Sequence, residues 1–67
     1  MATGTVVEFS EPRGIGVIRA DDSTYGFHCT QIADGTRSVR IGATVEFEVV
    51  PGRRGDWEAA RIQKIDA

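Results

Sequence analysis

Aromatic rings, cysteine and lysine are all scarce in this chain, and each shortage removes a class of function. A single cysteine, Cys29, cannot close an internal disulfide. With no CxxC pair and only one histidine, His28, the sequence holds no Cys/His set that would bind a structural zinc. A reducing, cytoplasmic setting is the expectation. No apolar run approaches the roughly 20 residues that a membrane-spanning helix needs, so no membrane partner is expected. Met1-Ala2-Thr3 lacks the basic and apolar regions of a secretory leader. No paired general acid and base, oriented nucleophile or metal set is visible, so neither an enzyme activity nor a cofactor is expected.

Charge excludes less. The net charge is −2, from eight basic and ten acidic side chains, which weighs against a polyanionic partner. All the cations except Lys64 are arginines, however, and two of them adjoin in Gly52-Arg53-Arg54-Gly55. A guanidinium pairs bidentately with phosphate and lies flat on a base, which an ammonium does poorly.

What is present is alternation. Helical periodicity is weak, whereas period-two patterns recur in short runs bounded by turn residues. Thr5 to Phe9 reads as a first strand, stopped by Ser10-Glu11-Pro12. Gly14 to Arg19 and Thr24 to Cys29 read as a hairpin around Asp21-Asp22. Ala43 to Val50 alternates most clearly, with Val45, Phe47 and Val49 on one face and Glu46 and Glu48 on the other. Trp57 to Ile65 is a fifth strand with Ala60 and Ile62 as core positions. Between the third and fourth, Thr30 to Gly42 carries the apolar anchors Ile32, Val39 and Ile41, with one helical turn at Thr30-Gln31-Ile32. Five short strands and one long connection predict an all-β chain, a small antiparallel Greek-key barrel of the OB type, occupying residues 1–67 as one domain.

Five segments in this order make the chain resemble the cold-shock domain family over nearly its whole length. They are Gly4-Thr5-Val6 with Phe9; Arg13-Gly14-Ile15-Gly16-Val17-Ile18 against K-G-F-G-F-I; Phe27-His28-Cys29-Thr30-Gln31-Ile32 against V-H-F-S-A-I; Gly42 to Phe47 against G-Q-x-V-x-F; and Gly52, Gly55 and Ala59 to Ile62 against G-x-x-G…A-x-N-V. The resemblance implies binding of single-stranded RNA or DNA on the face of the first three strands. There, rings stack on successive bases and basic groups follow the phosphates.

Position by position, this chain departs from that pattern. The family's lysine and tryptophan on the first strand correspond to Val7 and Glu8; the two phenylalanines of the second become Ile15 and Val17. On the third, phenylalanines become Gly26 and Cys29, and a loop aromatic aligns near Thr36. Phe9, His28 and Arg13, the last in place of lysine, survive. A base stacked on a ring contributes about 1–3 kcal/mol, and about 1.4 kcal/mol is tenfold in affinity. The implied binder is therefore weakened or redirected. Its expected contacts are Arg13, Arg53, Arg54 and Arg61 on phosphate, Phe9, His28 and Trp57 as stacking rings, and Ile15 and Val17 as apolar contacts to bases.

Some readings stay open at this level. Tyr25 and Phe27 point inward if His28 points outward, and a one-residue slip reverses all three. Trp57 either stacks bases beside the arginines, facing out with Ala59 and Arg61, or covers the barrel end. His28 is either a remnant of the stacking face or idle. The competing reading of the whole chain is a protein-interaction or homodimer module, using the aliphatic patch of Val7, Ile15 and Val17.

Overall fold

The alternating segments become five strands in the computed structural model, which describes residues 2–33, 35, 38–52 and 55–65. They are β1 (Ala2–Ser10), β2 (Ile15–Ala20), β3 (Ser23–His28), β4 (Thr44–Pro51) and β5 (Trp57–Lys64), with a 3-10 turn at Cys29–Gln31. The strands close into a barrel in the order β1-β2-β3-β5-β4. Neighbours are antiparallel except β3 and β5, which meet in parallel through Gly26 and Glu58. Closure gives every strand a neighbour on both sides, with β3 and β5 joined at one pair, and that limits the open edge which could template aggregation. The expected all-β barrel is the fold of this protein.

Val6, Ile18, Val45, Phe47 and Ile62 are wholly buried, one or two from each of four strands. Each such side chain contributes about 1.5–3 kcal/mol of transfer free energy. The long connection is pinned as expected at Ile32 and Val39, both buried. Ile32 bridges to Ile62, and the Ala33 N–H donates to the Ile62 carbonyl at 2.7 Å.

Three expectations need correction. Ala59, not Ala60, is the buried partner of Ile62; Ala60 is half-buried. The cause is a bulge: Glu46 pairs with Gln63 and Glu48 with Ala60, so Arg61 and Ile62 together oppose Phe47. Arg61 takes φ +52° to make that step, which inverts the inside-outside phase along β5. Val49 continues the phase of Val45 and Phe47 but lies beyond the packed interior and is exposed. Ile41 is no anchor either, being 61% exposed. It occupies the apex of a turn closed by the Ala43 N–H on the Arg40 carbonyl, with Gly42 at φ +94°. Bonds from the Gly42 N–H to the Val6 carbonyl and from the Val6 N–H to the Ala43 carbonyl hold that turn against β1.

The open question of Tyr25 and Phe27 is resolved inward. Phe27 is buried, and Tyr25 is half-buried with its ring tilted on Phe47 at 5.4 Å between centroids. Phe9, Gly16 and Phe27 stand opposite one another on β1, β2 and β3. The two rings stack across the glycine with centroids 6.1 Å apart and planes 11° from parallel. A Cβ on Gly16 would lie 2.5 Å from Phe27 Cζ and 2.7 Å from the Glu8 carbonyl oxygen. Glycine is required here by space.

Gly26 tests that statement, because a Cβ there meets nothing closer than the Gly16 carbonyl at 4.0 Å. Gly16→Ala is expected to lose about 1–3 kcal/mol of unfolding free energy through overpacking. Gly26→Ala should stay within about 0.5 kcal/mol of wild type. Urea denaturation of the two variants measures both; equal losses would contradict the packing described.

Candidate nucleic-acid interface

With Phe9, Gly16 and Phe27 directed inward, alternation places their neighbours outward. Two rows result on the outer wall. One runs Ser10, Ile15, His28 across β1, β2 and β3; the other runs Glu8, Val17, Gly26, Glu58 across β1, β2, β3 and β5. The second row starts and ends on a carboxylate and has an aliphatic residue and a bare backbone between. Ile15 is 44% exposed and Val17 half-buried, so β2 presents aliphatic groups to this wall and no ring.

A bulge on β1 brings Glu8 into its row. Val6 pairs with Ile18 and Glu8 with Val17, leaving Val7 as the additional residue. Val7 and Glu8 are consequently both exposed, although strict alternation allows only one of them outside. Beside them, Arg13 projects from the turn that the Gly14 N–H closes on the Ser10 carbonyl at 2.8 Å. Ile41 reaches the same place from its own turn. Val7, Ile15, Val17 and Ile41 thus wall an open depression of about 370 Å³ that also contains Glu8 and Arg13. Sequence reasoning missed Ile41; the Gly42 that follows it was the only available signal of a turn.

Phe9 also borders this depression but is half-buried and packs on the core, its ring engaged with Phe27. His28 is exposed beside Ile15. Its Nδ1 accepts the Thr30 N–H at 3.3 Å and lies 3.0 Å from Thr30 Oγ1, capping the 3-10 turn. In the neutral ring that contact leaves the proton on Nε2. The Cys29 thiol is 3.9 Å from the same Nδ1, a nitrogen already engaged by the Thr30 amide.

Trp57 is 58% exposed at the start of β5, bordering Ser23, Thr24, Tyr25 and Gly26. It therefore sits at the rim of the row through Gly26. Of the two readings open for Trp57, the one that turns Ala59 outward beside it does not hold, since Ala59 is only 2% exposed. Arg61 instead faces Glu48 on β4 at 3.9 Å, and β4 adjoins neither β2 nor β3. The β5 bulge turns it there. Arg53 and Arg54 lie outside the described residues. Among the described residues, the face brings together Phe9, Arg13, Ile15, Val17 and His28, adds Glu8, Glu58 and Ile41, and leaves out Arg61.

Comparison with known proteins agrees with the barrel. The model of the 'Cold-shock' DNA-binding domain matches residues 2–65. The chain is 41% identical to the cold shock-like protein CspA of Stigmatella aurantiaca, over 97% of this chain and 98% of that protein. It is 40% identical to the cold shock protein CspA of Staphylococcus haemolyticus, over 97% and 100%. Among solved structures, drosophila Unr CSD456 superposes with a TM-score of 0.79 at 28% identity, over 97% of this chain. The chain spans about a quarter of that longer protein, 26%. It belongs to the cold-shock domain family, whose members bind single-stranded nucleic acid and catalyse no reaction.

Proposed function

We propose that this chain binds single-stranded RNA or DNA on the outer wall of β1–β3, with an affinity lowered and redirected by the loss of stacking rings. The row Glu8, Val17, Gly26, Glu58 carries this reading. Where a stacking wall offers flat π-faces, this one offers Ile15, Val17 and open backbone, which give bases apolar contact without ring overlap. Arg13 supplies a phosphate contact at one edge, with Arg53 and Arg54 as further candidates. His28 and the rim residue Trp57 are the rings open to a base, whereas Phe9 presents only what its contact with Phe27 leaves free. Glu8 and Glu58 repel phosphate, and both are exposed, so salt screens that repulsion within roughly 8 Å at physiological ionic strength.

Attraction and repulsion therefore fade together, and the salt dependence should be shallow. Log affinity against log salt is expected to fall with a slope of about −0.7 to −2, equivalent to one to three phosphate contacts. Arg13→Ala should weaken binding and flatten that slope by about 0.7. Arg61→Ala should change it less than about twofold, because Arg61 faces Glu48 on β4 in an exposed ion pair. The decisive variant restores rings. Ile15→Phe with Val17→Phe should tighten binding of a short single strand at least about tenfold, given the usual stacking contribution. Anisotropy titration of a labelled oligonucleotide reads all of these; no gain from the double substitution would contradict the proposal.

A second reading, self-association or a protein partner through Val7, Ile15 and Val17, is favoured by the exposure of Ile41, which extends the aliphatic strip. Glu8 opposes it, since covering that strip desolvates a carboxylate. Sedimentation velocity up to high micromolar concentration separates the two. A monomer throughout is expected; a dimer abolished by Val17→Glu would favour the strip as a seam.

A further inference from the structure

We propose that the depression over β1 and β2 is a base-selective pocket in which the Glu8 carboxylate reads the Watson–Crick edge of a guanine. The inference rests on the strand-binding reading above and adds a specificity to it. Its starting point is the β1 bulge, which points Glu8 into a concavity walled by Val7, Ile15, Val17 and Ile41 and edged by Arg13. The aliphatic lining gives a planar guest apolar contact on its face, and the volume of about 370 Å³ is at the small end of ligand sites. Among the described residues, Glu8 has no ion pair or side-chain hydrogen bond, so its lone pairs are available to a ligand. The other carboxylate of the row is placed differently: Glu58 folds over Gly52, where an added Cβ would lie 2.7 Å from its Oε2.

Base chemistry then decides which guest fits. An ionised carboxylate only accepts hydrogen bonds. Guanine alone offers two adjacent donors, N1–H and N2–H, to its two oxygens. Its O6 and N7 remain as acceptors for a guanidinium such as Arg13. Adenine and cytosine offer one amino group each beside a ring nitrogen acceptor, which a carboxylate repels. Uracil and thymine offer N3–H between two carbonyl oxygens. The predicted order is guanine, then adenine and cytosine, then uracil and thymine. Stacking on rings tolerates any base, so aliphatic Ile15 and Val17 at this depression leave the hydrogen-bonded edge to dominate the choice.

The test uses the whole chain and four thymine heptamers that differ only in the central base, which avoids guanine-run structures. Anisotropy at low salt should show the guanine-centred strand binding about tenfold tighter than the all-thymine strand, as one bidentate contact gives. Inosine at the centre, which lacks the N2 amino group, should lose most of that preference. Glu8→Gln should reduce the ratio to below about twofold, because an amide offers one acceptor oxygen where the carboxylate offers two. Glu8 is exposed, so the variant should fold; a thermal melt checks this. Binding of all four strands with equal affinity, or a preference that survives Glu8→Gln, would overturn the pocket and leave strand binding standing. Binding of none would overturn both.

Discussion

The ring of Phe27 lies over the backbone of Gly16, with Phe9 closing from the other side, and the chemistry of the outer wall depends on that contact. Strand register has a period of two, so one fixed inward residue assigns every neighbour on its strand and on the strands paired with it. Phe27 inward puts Gly26 and His28 outward. Through the β2–β3 register it does the same for Ile15 and Val17. A slip by one residue would drive Phe27 out and His28 in, exchanging a packed ring for a buried imidazole. Because Gly16 has no Cβ, the ring of Phe27 can lie on the β2 backbone in the register observed.

Two bulges then break the alternation, and each changes which side chains reach the surface. On β1 the additional residue sends Val7 and Glu8 to the same side and delivers a carboxylate to the wall. On β5 the left-handed Arg61 reverses the phase, burying Ala59 and turning a guanidinium toward Glu48. Arg61 thus pairs with Glu48 on β4, while Glu8, already expected on the face, is joined there by Glu58. Where the family resemblance implies a wall of exposed rings and lysines, this surface carries an aliphatic trough edged by Glu8 and Arg13, which is what the proposed weakening and redirection of binding rest on.

The barrel was legible because alternation and turn residues are local signals. Val45 and Phe47 against Glu46, the Asp21-Asp22 hairpin and the proline after Ser10 were sufficient to place the strands. The inward choice for Tyr25 and Phe27 also followed from His28 by counting. The bulges were not legible: nothing in Val7-Glu8 or Ala60-Arg61-Ile62 distinguishes an additional residue from a regular pair, since that depends on what the partner strand opposes to it. Ile41 was misread for a related reason. An isolated apolar residue in a loop suggests an anchor, but here backbone bonds from Gly42 and Ala43 to Val6 tie the loop down and free the side chain to face outward.

The most direct measurement of the central claim is a nitrogen–proton correlation spectrum of the labelled protein during titration with a short single strand. The account predicts that amide shifts move together at Glu8, Ser10, Arg13, Ile15, Val17, Gly26 and His28, while Glu46, Glu48 and Gln63 on the opposite wall stay still. Shifts concentrated on β4 and the far half of β5, with the rows through Ile15 and Val17 unmoved, would contradict it.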